Sequence, residues 1–234
     1  ISGVNADLEL DFFEPSGDVA INRPLIILAF GGSFIGGAKE DMHAYCEYYA
    51  AKGFACASID YRIYDGALFP IPDSVVMTDE VIKAVSDMKA SIRFFREDAA
   101  NSNQYKIDTN LIFVGGISAG AIVGLHAGLL QDTDVIQPFI DSILTANGGY
   151  TGNSSTNTQH GDEVAGILNY SGALKWSSYI DANDPPIFSV HDDQDGTVPY
   201  ADGEATIFGF PIISLQGSSL IHADAQAVGV QSEL

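Results

Sequence analysis

Residues 111–130, LIFVGGISAGAIVGLHAGLL, decide the fold. Leu111 to Gly115 is an apolar run of strand length, and Ala121 to Leu130 is apolar without alternation and long enough for a helix. Between them lies Gly116-Ile117-Ser118-Ala119-Gly120, with glycine two positions either side of the serine. A strand that passes into a helix within so few residues crowds its own backbone. Small residues are needed around the turn, and the residue at its apex is lifted clear of the sheet. The apex also sits at a helix amino terminus, which favours negative charge.

Working outward, short apolar runs rich in β-branched and aromatic residues alternate with helical patterns, the order that a mostly parallel sheet clothed by helices requires. Strands are predicted at Pro24 to Phe30, Ala55 to Asp60, Leu111 to Gly115, Val164 to Tyr170 and Pro186 to His191. Each is nearly all apolar, as for strands covered on both faces. Leu8 to Phe13 alternates and reads as an antiparallel edge strand. Helices are predicted over Lys39 to Lys52, closed by Gly53, and over Asp79 to Asp98 with Thr78 as its cap. The class is α/β: one domain over residues 1–234, with helices on both faces of the sheet and the final strand only begun, at Gln231 to Leu234. Gly148 to Asp162, polar and glycine-rich, is a surface loop, either part of a substrate-facing lid or a plain connection.

Composition excludes several roles. Ten Lys and Arg face thirty-one Asp and Glu, a net charge of −21, and only Lys175 is basic after Lys106. Phosphate backbones and anionic membrane surfaces need clustered Lys and Arg, so nucleic acid is not a partner. No run of ~20 apolar residues is present, so no membrane span is expected. Acidic surfaces suit exported and salt-tolerant proteins, and a secreted or periplasmic setting is favoured over a cytoplasmic one. Cys46 and Cys56 allow one disulfide or two buried thiols, and form no zinc site.

Two further segments carry chemistry. Phe30-Gly31-Gly32-Ser33-Phe34 follows the strand PLIILAF, and His191 to Tyr200 (HDDQDGTVPY) follows the strand PPIFSV. With the Ser118 turn, these resemble the esterase and lipase branch of the α/β-hydrolase family. There a His-Gly-Gly-Gly-type loop donates backbone amides to a developing oxyanion, and a His-Gly-x-x-Asp-x-x-Val-Pro loop carries the triad acid. The resemblance implies Ser118 as nucleophile, Asp195 as acid, and the amides of Gly32, Ser33 and Ala119 as oxyanion donors. Phe30 stands where the family has histidine, and Ser33 where it has the third glycine. Ser58-Ile59-Asp60-Tyr61-Arg62 also matches carboxylesterases, with Arg62 ion-paired beneath the site. Asp192 and Asp193 lack the glycine and distal glutamate of a calcium loop, so neither a metal nor a cofactor is expected.

The triad needs a histidine after Asp195, and His222 is the one available. It falls in SSLIHADAQAVGV, which has a helical face ending at Gly229, whereas the family places this histidine on a loop after the last strand. A base roughly a dozen residues beyond Leu234 is therefore favoured over His222. His126 sits on the helix after Ser118, where packing accounts for it. The expected activity is hydrolysis of a small-molecule or polymer-linked carboxylic ester through an acyl-enzyme. A peptidase on the same fold and a non-catalytic binding domain are the alternatives.

Overall fold

The structure, a computed structural model, describes residues 7–17 and 19–234. The strands are β1 (Leu10–Phe13), β2 (Arg23–Ala29), β3 (Ala55–Ile59), β4 (Ile107–Ile117), β5 (Gly166–Tyr170), β6 (Ala173–Leu174), β7 (Ile187–Val190), β8 (Asp202–Ile207), β9 (Phe210–Gly217) and β10 (Ser232–Glu233). The helices are α1 (His43–Ala50), α2 (Ser74–Ala100), α3 (Ala119–Leu129), α4 (Pro138–Ala146) and α5 (Ser218–Val228). Seven strands form one sheet in the order β1-β3-β2-β4-β5-β7-β10, parallel except for β1, which pairs antiparallel with β3. β6, β9 and β8 make a small antiparallel sheet beside it.

The apolar runs place the core. Leu25, Ile27 and Leu28 of β2 and Val114 of β4 are wholly buried. Each such side chain contributes about 1.5–3 kcal/mol by leaving water. Ile167 and its register partner Val114 face α3, since a Cβ added at Gly128 of α3 would touch Ile167. Tyr170, three residues from Ile167 and so on the opposite face, bonds through its hydroxyl to Tyr49 of α1. Helices thus lie on both faces.

β7 departs from expectation. Its residues alternate between buried and exposed, and Phe188 and Val190 are 41% and 53% exposed. An apolar run shows only that both faces could be covered. α5 packs against β7, and the face that carries Phe188 and Val190 stays open among the described residues.

The second helix starts earlier than its periodicity indicates. Asp73, after Pro72, accepts hydrogen bonds from the amides of Val75 and Val76, both at 3.0 Å, and caps α2. Thr78 lies inside the helix, its hydroxyl donating to the Ser74 carbonyl at 2.7 Å. The expected helix from Lys39 to Lys52 is a 3-10 turn over Lys39–Met42 followed by α1. α5 ends at left-handed Gly229, and β10 pairs parallel with β7, both where the sequence placed them.

The loop 148–162 is pinned along α2. Arg93, fully buried, reaches Ser155, the Thr151 carbonyl at 3.1 Å and Asp162 at 2.9 Å. Lys89 donates to the Tyr150 carbonyl at 2.9 Å. Ser154 bonds to Asp87 and Arg62, and Arg62 is itself paired with Asp87. Every charge that the burial exposes to desolvation has a partner, so the segment reads as a strap on the helix.

Candidate active site

Ser118 stands between β4 and α3 with φ 54° and ψ −116°, outside the regions that a residue with a Cβ ordinarily occupies. What holds it there is close packing against β2. A Cβ at Gly116 would lie 2.2 Å from the Ala29 carbonyl oxygen, and one at Gly120 would lie 2.0 Å from it. Only glycine fits at either position. The Ser118 amide donates to the Tyr170 carbonyl at 2.8 Å, and the Ser118 carbonyl accepts from Ile122 at 3.0 Å, so both backbone groups are committed. Among the described residues its hydroxyl has no hydrogen-bond partner.

The loop after β2 approaches this serine closely. A Cβ on Gly31 would sit 3.4 Å from the Ser118 Cβ. Gly32, Ser33 and Phe34 all have positive φ, at 133°, 54° and 60°. Ile35 closes the turn by donating to the Gly32 carbonyl at 3.0 Å. Among the described residues, the amides of Gly32, Ser33 and Ala119 donate to no protein acceptor, which leaves three N–H groups for an anion at the amino terminus of α3. Phe30 is a packing residue here. Its ring is stacked 4.3 Å from Tyr61, whose hydroxyl donates to the Phe30 carbonyl at 2.8 Å and fixes the base of the loop.

Asp195 occupies the loop after β7. One carboxylate oxygen accepts from the amides of Thr197 at 2.8 Å and Val198 at 3.0 Å, and the other lies 3.5 Å from His191 Nε2. His191, whose side chain is buried, is a clamp that sequence reasoning passed over as part of the motif. Its Nε2–H donates to the Val198 carbonyl at 3.2 Å, and its Nδ1 accepts from Ser218 at 2.8 Å. Asn169 in turn donates to Ser218 and Ser189 and accepts from the Gly172 amide. These contacts lock the acid loop to α5 and β5. The available sequence signal was four-residue His-to-Asp spacing at a strand end.

Three of the other four histidines are engaged elsewhere, and His160 lies in the 148–162 loop, of which no residue lines the cavity beside Ser118. His222 lies on α5 with Nδ1 3.0 Å from the Ser232 hydroxyl, and contacts neither Ser118 nor Asp195. His43 bonds Asp11 of β1 at 2.8 Å and holds that carboxyl below its usual range. His126 is buried on α3, where its Nδ1–H donates to the Ile122 carbonyl at 2.8 Å and its Nε2 accepts from the Lys175 amide at 3.2 Å. Loss of hydration pushes its pKa down to about 4, so it is neutral and acts as a peg between α3 and the chain after β6.

Ser118, Ser33, Ala119, Thr197 and Val198 open on one cavity with about 870 Å³ of empty space, its mouth included. Its walls come from α2, α3 and α4, and its roof from the β8–β9 hairpin. Phe208 and Gly209 make that hairpin's two-residue turn, with φ 53° and 79°, the paired positive values of a type I′ turn. No residue of the 148–162 loop lines the cavity beside Ser118, which the β8–β9 hairpin covers.

The model of the BD-FAE family matches residues 10–174, seven-tenths of the chain, including the Gly32–Ser33 loop and Ser118. The chain belongs to the BD-FAE family. This is an α/β-hydrolase family, and the match ends before the loop that carries Asp195. Among similar proteins, Esterase LipQ of Mycobacterium tuberculosis is 25% identical over 209 residues, covering 80% of this BD-FAE chain and 46% of LipQ. Esterase LipC of the same organism is 31% identical over 107 residues, covering 45% of this chain and 23% of LipC. The chain spans less than half the length of these curated relatives. Among solved structures, esterase Est2 of Thermogutta terrifontis with propionate bound superposes with a TM-score of 0.68 at 21% identity, over 98% of this chain and 78% of that one. Est2 phosphorylated by paraoxon gives 0.70 at 20% identity, over 98% and 76%. That likeness establishes the α/β fold with its mostly parallel sheet.

Proposed function

We propose that this BD-FAE chain is the catalytic body of a serine esterase acting on carboxylic esters. Ser118 Oγ bonds to the carbonyl carbon while its proton passes to an imidazole. The carbonyl oxygen, now an anion, is held by the amides of Gly32, Ser33 and Ala119. Collapse breaks the bond to the alcohol oxygen, which takes the proton back, and water then releases the acyl group by the same steps. Asp195 orients the imidazole and stabilises its cation. No described residue supplies that imidazole; β10 runs parallel to β7, so its carboxyl end points to the end of the sheet where Ser118 and Asp195 lie.

One observation carries the reading: an unpartnered serine hydroxyl, raised on a strained turn beside three unengaged amides, at the mouth of an apolar cavity. The test is turnover of p-nitrophenyl esters by the full natural protein, with labelling of Ser118 by a fluorophosphonate. Turnover and label that both vanish in Ser118→Ala are expected. Absence of both in the unaltered protein rejects the proposal. Ligand binding without turnover is the second reading, favoured because no imidazole among the described residues bonds the Ser118 hydroxyl. Under that reading the protein binds esters and leaves them intact.

A further inference from the structure

The cavity beside Ser118 has a direction. On α3 its lining residues are Ser118, Ile122, His126 and Leu130, which recur at four-residue steps. Ser118 and Leu130 flank the eleven residues of α3, a span of roughly 18 Å, so the lining follows the helix away from the end of the sheet at which the serine stands. On α2 the facing residues are Met77, Val81 and Ile82, again about one turn apart, and Ile140 of α4 meets them from below. A second cavity shares Val81, Ile82, His126 and Leu130 with the first and reaches Gly149 and Tyr150 under the strap. The two are neighbours along the helix, walled by the same four side chains.

The imidazole and the ammonium groups on this path are already occupied, while the Tyr179 hydroxyl on its wall bonds no protein group among the described residues. His126 is neutral and both of its ring nitrogens are bonded. Lys175 turns its ammonium to the Ser214 carbonyl at 2.9 Å and lies 4.8 Å above the Trp176 ring. Lys89, at the far end, donates to the Tyr150 carbonyl. A charged substituent driven down the path would lose water and meet no unoccupied counter-charge, whereas a hydrocarbon loses nothing along walls that are mostly apolar. The alcohol half of the ester must stay at the sheet edge, where it takes up a proton and departs. The acyl half, bonded to Ser118, is the part that can lie along α3.

On the esterase reading above, we propose that this path is an acyl channel, and that the preferred substrates are esters of unbranched aliphatic acids longer than butyrate. Ile122 is the first residue past the serine to set the length admitted.

Two measurements separate this proposal from the reading it rests on. In the full natural protein, kcat/KM for p-nitrophenyl acetate, butyrate, hexanoate and octanoate is expected to climb, with each buried methylene contributing up to about fourfold. In Ser118→Ala protein, where no chemistry occurs, calorimetric affinity for 1-alkanols is expected to climb similarly from butanol to octanol. Ile122→Trp is expected to lower the octanoate-to-butyrate ratio at least tenfold. Should that variant fail to fold, the alkanol series still decides. A kcat/KM that is greatest for acetate and declines with length, with alkanol affinity flat from butanol to octanol, overturns the channel and leaves the esterase reading intact. Rising alkanol affinity with no turnover of any ester and no fluorophosphonate label supports the channel and rejects the esterase.

Discussion

Replacing His126 by asparagine should change how stability depends on pH. In the fold this imidazole has a pKa of about 4 through desolvation, and in the unfolded chain it has the ordinary value near 6.5. Because the folded value is depressed, the unfolded chain binds the proton first. The native state therefore loses stability as pH falls from about 6.5 towards 4. At about 1.4 kcal/mol per pH unit, the loss is on the order of 3 kcal/mol by pH 4. Carboxylates also respond in this range, so the informative quantity is the stability gap between wild type and His126→Asn. Urea unfolding followed by fluorescence at several pH values would give it. The gap is expected to be roughly 3 kcal/mol larger at pH 7 than at pH 4, because the variant carries no proton-binding group there. A gap independent of pH would show that His126 is hydrated or charged in the fold, and would refute its assignment as a neutral peg between Ile122 and Lys175.

Gly120→Ala puts a methyl group 2.0 Å from the Ala29 carbonyl oxygen, where backbone has to move, and should cost about 3 kcal/mol in thermal unfolding together with loss of fluorophosphonate labelling. Asp195→Asn in the full natural protein should lower kcat by roughly four orders of magnitude with little change in KM, as measured on p-nitrophenyl butyrate. Arg93→Met removes the 2.9 Å partner of Asp162, leaving it Lys89 at 3.9 Å, and should destabilise the protein by about 1–3 kcal/mol and open residues 148–162 to limited proteolysis. Cys46 and Cys56 are buried free thiols with sulfurs 2.9 Å apart, so native protein should not react with a disulfide reagent and denatured protein should release two thiols.

The Ser118 turn was legible because local crowding dictates its residues: Gly116 and Gly120 are required by contact with β2, and the flanking stretches Leu111 to Gly115 and Ala121 to Leu125 are apolar. The strands of the main sheet were legible for the same reason, since burial on two faces leaves long apolar runs. β8 and β9 were not. Their turn is Phe208-Gly209 where a hairpin signal would show Asn-Gly or Asp-Gly, and Pro211 interrupts the second strand. The start of α2 was misplaced because periodicity marks a buried face, whereas the cap, Asp73, lies ahead of that face. The strap role of residues 148–162 was invisible because it depends on Arg93 and Lys89 of a distant helix. His222, the histidine after Asp195 in the sequence, turns to Ser232.

In the proposed reading one rod, α3, bears the reacting hydroxyl at its head and the side chains that gauge a substrate's reach at successive turns behind it. The head is wedged against β2 by two glycines, so exchanges at Ile122 or Leu130 leave it where it is. Members of such a lineage can diverge in the length of ester they accept by single replacements along the shaft, with no rebuilding of the end that breaks the bond.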